Sequence, residues 1–306
     1  MWNGFKWGDG EKMLLITGIT GHSGRYFLQE LIKNKYKEPI RCIVRETSDT
    51  SLLDSSGLKI EKFVGDIEDE KFMDRCMKGV DTVVHIAGIQ KTLNVIKGSV
   101  NNSVKRAILV HTTGIYSNFK SASEEYKNTE LEMNEIIKGQ NISLTILRPT
   151  MIYGNLIDLN MSKFIKMIDK LRLFPVVKHE KSLIQPVNAR DLGKAYYQVL
   201  TKPIQQLKPE YILSGEKPIK MDYAFKLISS NLGKKTVFIN FPLEVGVIMA
   251  RSLKIFTFGK VDYIEKVQRM GEDRSFPHKD ATIDFGYNPM SFDEGIKIEV
   301  NQFKIK

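Results

Sequence analysis

Cysteine is scarce: 306 residues contain only Cys42 and Cys76, and neither belongs to a C-x-x-C pair. That excludes a disulfide framework and argues against a zinc site, and it fits a reducing compartment. Long apolar runs are also missing. The longest, FPLEVGVIMARSLKIFTF at 241–258, carries Glu244, Arg251 and Lys254. It is too short and too charged to span a bilayer, and at most it lies on a surface. No basic, apolar, small-residue leader opens the chain, so a cytoplasmic protein without a transmembrane segment is expected. The sequence has no zinc-finger or recognition-helix signature, no internal repeat and no low-complexity tract. Its lysines are scattered rather than gathered beside aromatics, so the net charge of +10 points to nucleotides and phosphates, and no nucleic-acid partner is expected. The opening MWNGFKWGDGEK lacks periodicity and is set aside from the fold argument.

What is present is ordinary globular material, 42% hydrophobic and 27% charged, in a chain long enough for one large α/β unit or a nucleotide-binding domain with a smaller partner. Apolar, β-rich runs recur at MLLIT (13–17), IRCIV (40–44), KIEKFVG (59–65), DTVVHIAG (81–88), AILVHTT (107–113) and SLTILRP (143–149). Helical patterns separate them. Phe27, Leu28, Leu31 and Ile32 share one face, as do Leu93, Ile96, Val100 and Val104. Continuous apolar strands joined by helical crossovers predict a doubly wound parallel Rossmann sheet covered on both faces.

After Arg148-Pro149 prolines punctuate shorter elements, and a smaller, interleaved C-terminal substrate lobe is expected. The division predicted is a Rossmann core over 1–155, rejoined by residues near 187–215, with 156–306 mainly substrate-binding. YILSG (211–215) returns to the main sheet, and MDYAFKLISSNL (221–232) is a helix with Phe225, Ile228 and Leu232 inward. Met161, Phe164, Ile165 and Met167 read as the core stripe of another helix, and 241–258 as a helix on the small lobe.

The strongest chemical signal is LLITGITGHSGRYFLQEL, in which Gly18, Gly21 and Gly24 follow a strand and open a helix. Glycine allows the tight turn and the close approach of a pyrophosphate, whose charge meets the amides and positive end of the helix. Thr20, His22, Ser23 and Arg25 belong to the same cofactor-binding stretch, although for His22 a solvent-facing role is an equal reading. About twenty residues past the glycines an NAD site places an acidic residue on the adenosine ribose. Here stands Arg45, suited to a 2′-phosphate and assisted by Arg25. NADP is therefore favoured over NAD, and NAD stays open because the adjacent Glu46 can accept ribose hydroxyls.

With TGITGHSG go VGD ending in Asp66, VVHIAG, HTTGIY, TILRPTMIYG and QPVNARDLGKAY (185–196). Together these resemble the short-chain dehydrogenase/reductase superfamily, in its extended or atypical branch of NAD(P)-dependent epimerase/dehydratase-like proteins. The likeness runs from about residue 13 to about residue 300 and is specific for the family, not for a substrate. It implies that Asp66 and Ile67 flank the adenine and that Ala87 and Gly88 line the cofactor. It implies that Thr112, or else Thr113, hydrogen-bonds the reacting oxygen, and that Pro149 to Ile152, including Met151, pass the nicotinamide. Asp191 is implied to be structural. By analogy two copies pair through the helices of the fourth and fifth connections, which leaves a homodimer open.

Two tyrosines compete for the catalytic position. YSNFK supplies Tyr116 and Lys120 in Tyr-x-x-x-Lys spacing, but among serines that suggest a loop. Counting back from Arg148 as the family's spacing requires lands on Glu130, and Tyr126 lies one helical turn earlier on the same face. Tyr126 thus fits the catalytic tyrosine, and Glu130 replaces the lysine. A nearby ammonium favours phenolate and holds the nicotinamide ribose, whereas a carboxylate disfavours phenolate, although Glu130 can still hold ribose hydroxyls. Lys127 is about 100° round the helix. His85 and His111, within strands, read as packed core histidines.

Two functions follow. One is an NADP-dependent oxidoreductase or epimerase-like enzyme acting on a carbonyl or hydroxyl of a small or nucleotide-linked sugar substrate, with Tyr126 as acid/base and Thr112 orienting the oxygen. The other is a dinucleotide-binding regulator or accessory subunit without turnover, which loss of the lysine fits.

Overall fold

The computed structural model describes residues 12–119, 121–178 and 182–305. The set-aside residues 1–11 and Lys120 of YSNFK lie outside them. Strand and helix alternate through β1 (Met13–Thr17), α1 (Gly24–Lys33), β2 (Ile40–Val44), α2 (Ser51–Asp54), β3 (Ile60–Val64), α3 (Glu70–Met77), β4 (Val80–His85), α4 (Thr92–Asn101), β5 (Arg106–Val110), α5 (Ser123–Ile137) and β6 (Ser143–Pro149). Then come β7 (Ile152–Tyr153), α6 (Met161–Lys170), β8 (Leu173–Lys178), β9 (Val187–Asn188), α7 (Ala189–Thr201), β10 (Glu210–Leu213) and α8 (Met221–Leu232). The chain finishes with β11 (Val237–Pro242), α9 (Leu243–Phe256), α10 (Ile264–Gln268), α11 (Lys279–Phe285) and α12 (Phe292–Ile305).

Seven strands form one sheet in the order β10-β6-β5-β4-β1-β2-β3. Parallel registers join β1 to β2 and β4, β2 to β3, β4 to β5, and β5 to β6. This is the doubly wound Rossmann architecture. Every residue of β1, β2 and β5 is buried, as a sheet covered on both faces requires, whereas edge strand β3 is half exposed. The chain winds outward from β1 to β3 and returns on the other side of β1 as β4. That reversal makes the carboxyl ends of β1 and β4 a topological switch point, where such sheets bind ligands.

The chain divides into two compact units, one of residues 1–112, 125–148 and 192–211, the other of residues 113–124, 149–191 and 212–306. In the first, the core gathers Leu15, Val83, Val95, Ile96, Ala107, Leu109 and Met133. Two strand arginines are buried with it. Arg41 pairs with Glu61 at 3.0 Å and donates to the carbonyls of Cys76 and Lys78, and Arg106 donates to the carbonyls of Val199 and Leu200 in the last turn of α7. On α4 the inward residues are Val95, Ile96 and Ser99, while Leu93 and Val100 are half-buried. The small hydroxyl of Ser99 is satisfied by the Val95 carbonyl at 2.7 Å, which lets a polar residue face the core where the apolar pattern placed Val100.

The second unit has two short parallel pairs, β8 with β11 and β7 with β9, and a core in which α6, α8 and α12 contribute Ile165, Phe225, Ile228 and Ile296. The buried stripe of α6 is Met161, Ile165 and Ile168. Met167, expected inward, is 43% exposed, because the helix starts at Met161 and its inner face follows that phase. Phe225, Ile228 and Leu232 of α8 are all buried.

Within this core Glu299 of α12 is fully buried and accepts from the backbone N–H of Leu156 at 3.0 Å. Leu156 has φ +64, a left-handed conformation costly for leucine, so the carboxyl holds a strained turn. Burial, followed by the neighbouring Asp158, pushes the Glu299 carboxyl up to about 9, so it is protonated in the folded protein. A carboxyl raised from its ordinary 4.5 penalises folding only where the unfolded chain ionises: the penalty is absent below about 4.5 and grows up to about 9. Glu299→Gln keeps an acceptor for Leu156 and removes the titration. It should raise stability at pH 8 by at least about 1 kcal/mol relative to pH 5, measured by urea unfolding at both values.

Candidate functional site

The glycine loop leaves the end of β1 at the switch point. Gly18 has φ +75, and a Cβ there would lie 2.8 Å from the Ala87 amide nitrogen, so only glycine lets β1 turn against the end of β4. A Cβ on Gly24 would overlap the Gly18 carbonyl and come within 2.8 Å of the Ile19 Cα, so α1 begins directly against the loop. Gly21 N–H donates to the Gly18 carbonyl at 3.0 Å, and Arg25 Nε to the Thr20 carbonyl at 2.9 Å. Ser23 at the α1 N-cap makes no capping bond and instead accepts from buried Tyr196 Oη at 3.2 Å. His22 is half-buried.

His85 fixes the floor. Its Nε2 meets the Gly88 carbonyl at 2.9 Å and its Nδ1 meets Thr17 Oγ1 at 2.7 Å. A carbonyl only accepts, so Nε2 carries the proton and Nδ1 accepts from the threonine. Burial pushes the ring down to about 4, which keeps it neutral as both bonds require. The histidine ties the ends of β1 and β4 to Gly88, whose φ is +107, and Ala87 and Gly88 stand half-buried beside the loop.

At the end of β2 Arg45 is exposed, and Arg25 pairs with Asp49 at 3.5 Å. Asp66 is exposed and accepts from Glu68 N–H at 3.0 Å, with Lys91 Nζ 3.7 Å away, and Ile67 is buried. The loop, the amide end of α1, Asp66-Ile67 and Ala87-Gly88 thus lie in one unit as a cradle of small residues and free-facing cation, chemistry that suits a dinucleotide.

Thr112 is half-buried just past β5. Tyr126 of α5 is 7% exposed, and its Oη accepts from Gln90 Nε2 at 3.4 Å. Lys127, the next residue, is exposed. Glu130 is engaged on both oxygens: Oε1 takes Arg148 Nη1 at 2.6 Å and His111 Nδ1 at 2.7 Å, and Oε2 takes Arg148 Nη2 at 2.8 Å. Arg148 also reaches Glu210 at 2.8 Å. Burial alone would raise the Glu130 carboxyl, but bonds from Arg148 and then His111 bring it down to about 2. Burial likewise lowers His111, so a neutral ring donates from Nδ1 to Glu130 and accepts at Nε2 from Thr92 Oγ1 at 3.0 Å. Glu130 is therefore held in a closed ionic network.

In the second unit Pro149 is buried and Met151 half-buried, its carbonyl accepting from Val187 N–H at 2.9 Å. Thr113 Oγ1 donates to the Pro149 carbonyl at 3.3 Å. Tyr116 lies in the short 3-10 turn Thr113–Tyr116, 47% exposed, with its ring tilted on Phe276. Asp191 Oδ2 accepts from Met290 N–H at 3.1 Å. Sequence reasoning missed the partners: Gln90 under Tyr126, Tyr196 on Ser23, and Arg148, His111 and Glu210 around Glu130. One signal was available, since an arginine inside an apolar strand demands an acidic partner.

Residues 18–158 match the family model described as NAD(P)H-binding. UDP-glucose 4-epimerase from Rickettsia akari (strain Hartford) is 29% identical over 126 residues, covering 33% of this chain and 37% of that protein. Two solved structures share the fold across 96% of this chain. UDP-glucose 4-epimerase from Thermotoga maritima with UDP-glucose has TM-score 0.71, 18% identity and 99% of that chain covered. The dTDP-glucose 4,6-dehydratase of Streptomyces venezuelae, solved with NAD, has TM-score 0.72, 18% identity and 97% covered. The matched stretch marks an NAD(P)H-binding domain, and the chain shares the fold of epimerase and dehydratase enzymes. It spans from 21% to 65% of the length of the first curated relatives it matches. Among the described residues no helix is long and apolar enough to cross a membrane.

A carboxylate held below its ordinary 4.5 stabilises the fold fully above that value and loses the contribution as pH falls toward about 2. Glu130→Gln should flatten stability across that window. It should also cost about 2–4 kcal/mol at pH 7, because Arg148 loses its bidentate partner. Guanidinium chloride unfolding of both proteins at pH 7 and pH 3 checks it.

Proposed function

We propose that this chain is an NADP-preferring oxidoreductase or epimerase that interconverts a carbonyl and a hydroxyl on a nucleotide-linked sugar, with Tyr126 transferring the proton. The observation that carries the reading is Tyr126: a buried phenol on α5, bonded to Gln90 two residues past Gly88, in the same unit as the glycine loop. A proton donor at the reacting oxygen is what carbonyl reduction requires of the protein. The dinucleotide, when bound, supplies the hydride or takes it up. Gly18, Gly21 and Gly24 with the amide end of α1 bind its pyrophosphate, with Thr20, His22 and Ser23 along the loop. Arg45 and Arg25 meet a 2′-phosphate, and Asp66 and Ile67 flank the adenine. Thr112 orients the substrate oxygen.

The second unit supports an anionic substrate. Arg269 and Arg274 both leave a buried Nε without a hydrogen-bond partner among the described residues. Burial, then the charge of Arg269, pushes the Arg274 guanidinium down to about 10. Arg269 pairs with Glu272 at 3.8 Å, and a diphosphate would add counter-charge for Arg274.

A second reading is favoured by Glu130. The network around it leaves no ammonium in the relay position, which suits a protein that binds the dinucleotide without turnover.

Calorimetric titration of the full chain should show NADPH binding more tightly than NADH, with Arg45→Ala reducing the NADPH affinity by about tenfold. Equal affinities would remove the NADP preference. Tyr126→Phe should abolish NADPH oxidation with a panel of nucleotide-linked 4-keto sugars while leaving NADPH binding intact. Unchanged turnover would remove Tyr126 from the mechanism, and bound NADPH that no substrate oxidises would establish the second reading.

A further inference from the structure

Helix α9 carries its apolar residues on the wrong side for a core helix. Its inner face is built from small residues: Gly246 and Ala250 are buried, and a Cβ on Gly246 would lie 2.7 Å from Val177, so the helix backbone packs directly onto its neighbours. The outer face is apolar. Val245 is 40% exposed, Ile248 62%, Met249 50% and Phe256 81%. At 100° per residue these four fall within about one third of the helix circumference, a single stripe pointing away from the unit.

The exposed apolar surface runs on past the end of the helix. Ile255, in its last turn, is 74% exposed, and Phe258, beyond it, 94%. Phe258 is held at φ +51, a left-handed conformation that an aromatic residue adopts rarely. The bonds Phe258 N–H to Ile255 carbonyl and Gly259 N–H to Lys254 carbonyl, 3.0 and 2.8 Å, hold the turn closed. Two phenylalanines and an isoleucine are therefore exposed within four residues at the end of α9.

The charges beside this face have one dominant sign. Within 243–260 stand Arg251, Lys254 and Lys260 against the single acid Glu244. Arg251 flanks the stripe on the helix and Lys260 follows the aromatic turn, whereas Lys254 lies on the opposite face of the helix and pairs with Asp262 at 2.7 Å. An apolar stripe with aromatic residues at its end and cations along its border is complementary to the boundary between acyl chains and anionic headgroups. Exposed aromatic residues enter a fluid lipid interface without needing a matching groove.

We propose that α9 and the turn to Lys260 dock the protein on the surface of an anionic lipid bilayer, with Phe256 and Phe258 entering the interface and Arg251 and Lys260 meeting the headgroups. The contact is peripheral and reversible, because its apolar face is short and its charge modest.

The test is co-sedimentation of the full chain with sucrose-loaded vesicles of phosphatidylcholine containing phosphatidylglycerol, compared with pure phosphatidylcholine, at low and at physiological salt. The expected result is binding to the anionic vesicles that weakens with added salt and is slight on the neutral ones. The double variant F256S/F258S should lose partitioning by at least about tenfold, with an unchanged far-ultraviolet circular dichroism spectrum. R251E/K260E should lose the dependence on anionic lipid. No sedimentation with anionic vesicles at low salt overturns the proposal, as does undiminished binding of the phenylalanine variant. Light scattering that finds a dimer abolished by F256S/F258S would overturn it too, by giving this face to a second copy.

Discussion

The structure turns on how closely β1 and β4 approach beyond their last paired residues. Gly18 and Ala87 leave no room for a side chain between them, and His85 locks the arrangement with two neutral hydrogen bonds, one to each side. Because the chain reverses its winding here, the amide end of α1 opens beyond the carboxyl ends of β1 and β4. Any larger residue at Gly18 would separate the two strand ends, and the loop, the helix and Gly88 would move with them. Anion-binding capacity is thus a by-product of sheet topology combined with one steric constraint.

The second organising feature is electrostatic. A carboxylate at Glu130 is stable only because a guanidinium on the neighbouring strand β6, a neutral imidazole on the segment after β5 and a second acid on β10 close a circuit around it. Burial opposes every charge in that circuit, so its members stand or fall together. Tyr126 lies one turn away on the same helix yet bonds to Gln90 of the β4 crossover, outside the circuit. The phenol and the carboxylate therefore answer to different neighbours despite sharing a helix face.

Much of the fold was legible in the chain. MLLIT, IRCIV, SLTILRP and MDYAFKLISSNL coincide with β1, β2, β6 and α8, because continuous or strictly phased apolar runs declare full burial. The phases of α4 and α6 were not: Ser99 faces the core through a bond to its own helix, and Met167 lies just off the inner face that Met161 begins. The site was readable where local backbone geometry carried it, as in the glycine loop. It was opaque where side chains distant in sequence meet: Glu130 with Arg148, Tyr196 with Ser23, and Gln90 with Tyr126 depend on strand order and helix rotation, which no local pattern encodes.

The circuit around Glu130 also constrains how this sequence can change. Replacing Glu130 by lysine alone would set an ammonium against the buried Arg148 guanidinium and leave His111 without its acceptor. Replacing Arg148 first would take from Glu130 its bidentate guanidinium. Each single replacement costs stability on its own, so the residues of this network can be exchanged only together, and their effects on the fold are strongly non-additive.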